Sequence, residues 1–194
     1  MKKYLFILAV LAAGLVSCSE SDDATEEYAD WQNRNETYFE QAYNRHDATS
    51  IIKKWSLDAS ATSYAHTDCI LVDVLQSGTG TSSPYYTDYV KIYYSGRLIP
   101  SASYPAGYVF DGTPFSELDK DVTKPTEMKV SSFVPGFSTA LQHMHKGDRW
   151  RITVPYQLAY GTTGKSTIPA YSTLIFDVTL VDFLRKVRGD RDED

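Results

Sequence analysis

Alternation of apolar and polar positions with a period of two marks several stretches of this chain as strands. Residues 89–96 and 172–184 show it most clearly, while residues 69–76 form a short apolar run and residues 126–132 and 149–155 have a similar character. The apolar side chains that share one face are Val90, Ile92 and Tyr94 in the first stretch, and Leu174, Phe176, Val178 and Leu180 in the second. These stretches together predict an antiparallel sheet.

Helical periodicity appears in two places. The later one predicts a short helix that stops at Lys146 and Gly147, and the earlier one predicts one or two amphipathic helices within residues 30–67. The later stripe consists of Phe137, Ala140, Leu141 and Met144; the earlier consists of Trp31, Asn35, Tyr38, Ala42 and Tyr43, with Ile51, Ile52 and Trp55 continuing it after a break. Several strands with one late helix predict an α+β fold, in which a curved sheet wraps around that helix behind an N-terminal helical extension.

The N-terminus has the anatomy of a secretory signal. Residues 1–17 begin with two lysines, continue as an apolar run too short to span a membrane, and end in small residues. "LVSC" (15–18) resembles the lipobox of bacterial lipoproteins, which implies that Cys18 is lipidated; an ordinary secretory signal is the alternative. Residues 18–29 then form an acidic tether, and residues 187–194 a charged tail.

Charge and cysteine content narrow the possible partners. The net charge of −6 becomes −8 without residues 1–17, because 17 basic residues then face 25 acidic ones. An acidic chain is a poor partner for nucleic acid or anionic lipid, so the lipid on Cys18 is expected to provide the membrane contact. Lipidation of Cys18 would leave only Cys69, which excludes an intrachain disulfide and favours a buried structural thiol.

Residues 133–161, "FVPGFSTALQHMHKGDRWRITVPYQLAYG", concentrate aromatic rings and prolines without the spacing of a catalytic nucleophile. His143 and His145 have no nearby thiol or carboxylate, so a solvated helix end explains them better than a zinc site. Each ring by itself is explained by core packing. The alternative hypothesis is that the rings wall a dry pocket for the proline of another chain, and the order of the motifs described next favours it.

Residues 88–184 resemble the FKBP-type peptidyl-prolyl cis-trans isomerases, the macrolide-binding immunophilins. The matching segments are, in the family's order, "VKIYYSG", "VFDGT", "FVPGF", "KGDRWRITVP", "LAYGTTG" and "IPAYSTLIFDVTL". The resemblance implies a half-barrel sheet around a short helix and isomerase activity on X–Pro bonds. It also implies proline-containing polypeptides as substrates, macrolides as candidate inhibitors, and neither cofactor nor metal.

The resemblance also assigns the site residues. It implies catalytic roles for Tyr94, Phe110, Asp111, Tyr160 and Phe176, and substrate contacts for Val134, Phe137 and Ile168, with the Val134 N–H as donor. Phe137 stands where the family usually has a tryptophan. Thr126, Lys165 and the longer connection "SASYPAGY" (101–108) also depart from the family pattern. These departures predict a more open pocket, which affects tight macrolide binding more than catalysis.

The leading hypothesis is an isomerase that assists the folding of exported proteins as a lipid-anchored outer membrane lipoprotein, facing the periplasm or the surface. Residues 68–186 form its expected domain, and residues from about 68 to 185 are expected to fold without residues 19–67. One alternative is a weakly catalytic or non-catalytic binding module for proline-containing chains, and another is a lipoprotein whose exposed tyrosines bind glycan. The oligomeric state is left open, since the N-terminal helices could pack on the domain or on a second copy.

Overall fold

The computed structural model describes residues 27–58, 60–113 and 124–185. Two helices and seven strands form its regular structure: α1 (Trp31–Arg45), β1 (Ile51–Lys53), β2 (Cys69–Gln76), β3 (Tyr89–Leu98), β4 (Val109–Gly112), β5 (Thr126–Lys129), α2 (Pro135–Leu141), β6 (Arg149–Val154) and β7 (Leu174–Leu184). The strands lie in one sheet in the order β1-β2-β6-β7-β3-β4, and β5 pairs with β3 beside that path. Every pairing is antiparallel, so the α+β prediction of a curved antiparallel sheet is confirmed.

The main core lies between α2 and one face of the sheet, here called the inner face. Alternation along the central strands supplies it, because every second side chain points towards α2. Its most deeply buried members include Val90, Ile92, Leu98, Leu141, Met144, Ile152, Val154, Leu174 and Leu180. Gly136 makes the close packing of α2 on the sheet possible, since a Cβ there would stand 2.3 Å from a methyl group of Val154.

The opposite, outer face of the sheet is partly covered by α1. Phe39 and Ala42 of α1 are buried together with Leu71 of β2 in a second, smaller cluster. At its N-terminal end α1 inserts Trp31, which is 6% exposed, into the main core. The helix therefore contributes to both cores.

Two expectations for the helices are wrong. Ile51 and Ile52 do not continue the helical pattern but form β1, which pairs with β2 through Ile52 and Ile70. The helix ends at Arg45, and the Asp47 carboxylate then accepts hydrogen bonds from the N–H groups of Thr49 and Ser50, which turns the chain. The β-branched isoleucines that follow suit an extended strand better than a helix.

The second correction concerns α2, which ends at Leu141 and not at Lys146. The N–H groups of His143 and Met144 both bond to the Ala140 carbonyl, so the last turn tightens and the helix stops. Met144 is nevertheless fully buried, and Gly147 takes a positive φ of 92° at the end of the turn. The apolar stripe was thus longer than the helix that carries it.

The expectations for the two ends of the chain remain predictions. Cys18, the signal, the acidic tether and the charged tail lie outside the described residues. Cys69 is fully buried, and burial raises the pKa of its thiol. Among the helices of the described residues, none is both long and apolar enough to cross a bilayer. The domain boundary at residue 68 stays a prediction, although α1 and β1 both pack against residues on the other side of it.

Candidate active site

Four aromatic rings gather around Phe137 at the N-terminal end of α2, three in contact with Phe137 itself and one in contact with Phe176. The Phe133 ring stacks on Phe137 with 4.6 Å between centroids, and Phe176 meets Phe137 edge-on at 4.9 Å. Tyr94 also approaches Phe137 edge-on, at 6.0 Å. Phe110 completes the group through an edge contact of 5.8 Å with Phe176. Edge-to-face packing at these separations fixes the rings relative to one another.

Strand pairing explains why rings distant in sequence meet. Gly96 of β3 lies opposite Phe176 of β7 on one side and opposite Asp111 of β4 on the other. A Cβ on Gly96 would stand 2.6 Å from Phe176 and 2.7 Å from Phe110. The two rings therefore fill the space that a side chain at residue 96 would need.

Burial divides the group into a floor and a rim. Phe137 and Phe176, at 1% and 5% exposure, are buried against each other and form the floor. Ile168, at 6% exposure, is buried in the same core cluster. The rim is formed by partly buried residues that pack against the same cluster: Tyr94, Phe110, Phe133, Val134 and Tyr160. A dry floor beneath an accessible rim is the arrangement expected of a pocket for an apolar group.

A polar pair stands at the rim. The Tyr94 hydroxyl donates a hydrogen bond to Oδ2 of Asp111 over 3.0 Å, and Oδ1 of the same carboxylate accepts one from the Gly112 N–H over 2.8 Å. Burial raises the pKa of the Tyr94 hydroxyl above its ordinary value, and the charge and hydrogen bond of Asp111 raise it further. Tyr94 thus remains a neutral donor, and Asp111 both caps its turn and faces the rim.

The strand segment around Tyr94 is fixed on both sides. The Tyr94 N–H donates to the Thr113 hydroxyl over 2.9 Å, and the Thr113 N–H donates back to the Tyr94 carbonyl over 2.9 Å. This reciprocal pair holds β3 and the end of β4 together beside the rim. Because it uses the backbone of Tyr94, it positions the ring without engaging the hydroxyl.

The last two expected site residues, Tyr160 and Ile168, lie on the loop of residues 156–173. Tyr160 packs against the core cluster, and the Lys165 ammonium lies 5.2 Å from the centre of its ring. Ile168 is placed by a two-way backbone pair with Lys165, whose bonds measure 2.8 and 2.9 Å. Lys165 therefore supports both pocket residues from the same turn.

Val134 is the N-cap of α2 and precedes Pro135 at the first helical position. Its carbonyl accepts the hydrogen bond from the Ser138 N–H. Its own N–H donates to no other group in the described part of the chain, so that donor is available at the rim.

The two histidines of the α2 segment are engaged elsewhere. The His143 ring bonds to the Thr139 carbonyl at 2.8 Å, and His145 lies 3.6 Å from the Asp148 carboxylate. The expectation that no carboxylate lies near these histidines is therefore wrong for His145, because the turn after α2 brings Asp148 back to it. Across residues 27–58, 60–113 and 124–185, no three His, Cys, Asp or Glu side chains are grouped so that they could hold a metal ion.

A separate cleft of about 590 Å³ lies between α1 and the outer face of the sheet. It contains none of the expected pocket residues, and its walls carry both signs of charge, including Arg97, Arg151, Asp47 and Asp73. The ring group on the inner face has the apolar floor that this cleft lacks. The inner-face group is therefore the better candidate for a proline pocket.

A family model places these features in a known class of proteins. The model for the FKBP-type peptidyl-prolyl cis-trans isomerases matches residues 80–181, which include every pocket residue described above. The match covers more than half of the chain, and the chain belongs to this family.

Individual relatives agree with that assignment. The "Macrophage infectivity potentiator" of Trypanosoma cruzi is 36% identical over 132 residues, or 60% of this chain and 61% of the relative. The "FKBP-type 22 kDa peptidyl-prolyl cis-trans isomerase" of Escherichia coli is 38% identical over 114 residues, or 57% and 48%. The "Outer membrane protein MIP" of Legionella longbeachae is 36% identical over 109 residues, or 56% and 41%. The matched region thus spans about half of the curated relatives' length.

Solved structures support the fold. The crystal structure of FkpA from Escherichia coli superposes with a TM-score of 0.57 at 24% identity, covering 84% of this chain and 65% of that one. A peptidyl-prolyl cis-trans isomerase from Pseudomonas syringae gives a TM-score of 0.58 at 23% identity, covering 81% and 96%. At this identity the likeness concerns the fold alone.

Ring contacts or the Tyr94–Asp111 hydrogen bond join five of the eight expected residues, namely Tyr94, Phe110, Asp111, Phe137 and Phe176. Val134, Tyr160 and Ile168 lie in or against the same core cluster, and the roles of all eight stay a prediction. Three further residues belong to the group. Phe133, Gly96 and Thr113 were not expected, although all three lie in or beside the matching segments. Phe133 directly precedes Val134 at the start of "FVPGF", and its stacking on Phe137 depends on how the chain enters α2. Gly96 and Thr113 act through cross-strand partners, which a single sequence does not reveal.

Proposed function

We propose that this chain is a peptidyl-prolyl cis-trans isomerase that binds X–Pro segments of exported polypeptides in the inner-face pocket. The observation that carries the proposal is the ring group around Phe137, with the Tyr94 hydroxyl held by Asp111 at its rim. Membership of the FKBP-type family supplies the reaction class.

The chemistry of the reaction explains why such a site suffices. Rotation about the X–Pro bond faces a barrier of about 18–20 kcal/mol, which arises from amide resonance. Resonance places partial negative charge on the carbonyl oxygen, and water stabilises that charge. A dry pocket removes the water and so makes the planar amide less favourable relative to the twisted one. Fixed donors that fit the twisted amide increase the preference.

Each pocket residue then has a role in this reaction. Phe137, Phe176 and Ile168 would receive the proline ring, and Tyr94 and Phe110 would exclude water at its sides. The Val134 N–H has no acceptor among the described residues and would bind a carbonyl of the substrate chain. Asp111, with Tyr94, and the Tyr160 hydroxyl would contact the twisting amide and its neighbours.

We further propose that Cys18 carries a lipid and that the protein acts in the cell envelope. The support comes from the sequence of residues 1–18 and from the name of the Legionella relative, an outer membrane protein. Exported proteins that fold beside the membrane would then be its substrates. Macrolides are expected to bind weakly, because the connection of residues 101–108 is long and Phe137 replaces the usual tryptophan.

The decisive measurement is the rate of cis-to-trans conversion of an X–Pro peptide with the purified full chain. Phe176→Ala and Tyr94→Ala should reduce the rate strongly, because each admits water and removes packing worth about 3–5 kcal/mol. Asp111→Ala and Tyr160→Phe should reduce it about tenfold, since each removes one polar contact. Circular dichroism would show which variants remain folded.

His143→Ala and His145→Ala are the matched controls, because both lie beside α2 and neither faces the ring group. Both should retain the wild-type rate, and so should protein treated with a chelator. A wild-type chain no faster than the spontaneous reaction, yet able to bind the peptide, would favour the non-catalytic binding module. Equal losses from the histidine and pocket variants would place the pocket elsewhere.

A further inference from the structure

We infer that α1 holds the loop of residues 156–173 in its substrate-binding conformation, with Trp31 and Asn35 as positioning residues for Tyr160 and Ile168. The inference rests on the proposed function, because it concerns the same pocket. It assigns a role in that function to a helix that precedes the region matched by the family model.

Asn35 joins the helix to the end of the loop. Its side chain is fully buried, and its Nδ2 donates to the Trp31 carbonyl over 2.7 Å while its Oδ1 accepts from the Thr173 N–H over 2.8 Å. A buried amide bonded on both sides orients its partners, because any displacement would leave a polar group unsatisfied. Thr173 directly precedes β7, so Asn35 fixes the point at which the loop enters the sheet.

Trp31 joins the helix to the segment that carries Ile168. Its indole N–H donates to the Ser172 hydroxyl over 2.8 Å, and that hydroxyl donates to the Pro169 carbonyl over 2.7 Å. The chain of two hydrogen bonds therefore ends on the residue next to Ile168. The Trp31 ring packs in the same core cluster as Ile168.

A third link reaches Tyr160. The Tyr156 hydroxyl bonds to the Glu36 carboxylate over 3.2 Å, and the Tyr156 ring meets Tyr171 edge-on at 5.2 Å. The Tyr171 N–H donates to the carbonyl of Gly161, the residue that follows Tyr160, over 2.9 Å. Trp31, Asn35 and Glu36 of α1 thus support the parts of the loop that carry Tyr160 and Ile168.

The loop has a conformation that calls for outside support. Tyr171 takes a φ of 62° and Ser166 a φ of 52°, which are unfavourable for residues with a side chain. Such a backbone persists where its surroundings fix it. Since α1 contributes contacts at Tyr156, Ser172 and Thr173, loss of those contacts should let the loop relax and move Ile168 and Tyr160.

Two variants and their combination test this in the full chain. Trp31→Phe removes the indole donor but keeps an aromatic ring, and Ser172→Ala removes its partner. Each should lower kcat/KM about fivefold, and the double variant should lose little more than either alone, because both remove the same link. Phe39→Leu is the control, since it weakens α1 packing on the outer face away from the loop; its kcat/KM should stay within about twofold of wild type.

Methyl NMR of Ile168 provides a readout independent of catalysis. The Ile168 methyl signals should shift in Trp31→Phe and in Ser172→Ala and stay in place in Phe39→Leu, even where all three lose stability. If Trp31→Phe and Ser172→Ala leave the Ile168 signals and kcat/KM unchanged, α1 only stabilises the fold. The same conclusion follows if Phe39→Leu changes the signals and kcat/KM as much as they do. If the wild-type chain has no isomerase activity but the Ile168 signals still shift in Trp31→Phe and Ser172→Ala, the proposed function is overturned while the support of the loop by α1 stands.

Discussion

At Gly96 the missing side chain leaves the space in which the Phe110 and Phe176 rings meet. We expect Gly96→Ala to displace both rings, because its Cβ would stand 2.6–2.7 Å from their edges and real contacts do not become so short. Residue 96 lies within β3 and does not take a positive φ, so an alanine suits its backbone and folding should survive. The isomerase rate should fall at least about tenfold.

Ser95→Ala is the matched control, since Ser95 precedes Gly96 on the same strand and points to the outer face. It should leave the rate unchanged, as measured by the same peptide assay. A Gly96→Ala variant with full activity and unchanged aromatic signals would show that the rings do not define the pocket.

At the scale of single residues, the sequence predicted those pocket residues to which a family motif assigns a role. Phe110 and Phe176 were expected and meet edge-on, and Tyr94 and Phe176 both contact Phe137, because each motif fixes both the residue and its strand position. Trp31 and Asn35 were expected only as an apolar face of a helix. Their bonds to Ser172 and Thr173 span more than 130 residues of sequence, and no local pattern encodes such a contact.

Three strands are joined on the outer face through Asp177. Its carboxylate, on β7, accepts hydrogen bonds from Arg97 of β3 over 2.6 Å and from Arg151 of β6 over 2.7 and 3.0 Å. Burial alone would raise the pKa of Asp177, but the hydrogen bond from Arg151 and the charges of both arginines hold that pKa below its usual value.

The sign of the pH dependence follows from this lowered pKa. Asp177 contributes stability that is fully present above the ordinary aspartate pKa of about 3.9, and that is lost as pH falls through the lowered value. Asp177→Asn should therefore reduce the free energy of unfolding by about 2 kcal/mol at pH 7, and by less at pH 2–3. Urea denaturation at the two pH values would measure both differences.

Asp182→Asn is the control on the same strand. Asp182 pairs with Lys146, and both side chains are about half exposed, so its loss should be small at either pH. A pH-independent loss in Asp177→Asn, or an equal loss in Asp182→Asn, would contradict the role given to the arginine pair. The isomerase rate should not change in either variant, because both side chains lie away from the ring group.

Among the elements, those with long alternating or helical patterns were predictable and the short ones were not. β3 and β7 carry many apolar positions each, so their period was unambiguous. β1 has three residues, too few to show any period, and its identity depends on pairing with β2. α2 was predicted too long because Met144 is buried by the turn after the helix and not by the helix itself.

For the whole molecule, Cys18 should decide where the protein resides. Cys18→Ala should remove the lipid and leave an unprocessed or misrouted soluble precursor, because no acyl chain would then anchor the acidic chain. Labelling with a fatty acid and fractionation of the envelope would measure this, with Cys69→Ala as the control that should stay labelled. A Cys18→Ala variant that is still labelled and still in the membrane would contradict the lipoprotein proposal.

The sequence alone divided the chain at residue 68, but packing crosses that position. Trp31 is buried in the main core, Phe39 is buried against β2, and β1 adds a strand to the sheet edge. Removing a buried aromatic side chain costs about 3–5 kcal/mol, and a domain's total stability is about 5–15 kcal/mol. Loss of residues 19–67 therefore threatens a large part of the stability.

Deletion of residues 19–67 should accordingly lower the denaturant midpoint strongly, because Trp31 and Phe39 leave together and the β2 edge is exposed. Fluorescence and circular dichroism during urea unfolding of the full and shortened chains would measure the change. The double variant Trp31→Ala, Phe39→Ala in the full chain should reproduce most of it, which separates side-chain packing from the strand pairing of β1. A shortened chain that unfolds at the wild-type midpoint would show instead that residues 68–185 form an independent unit and that α1 merely rests on its surface.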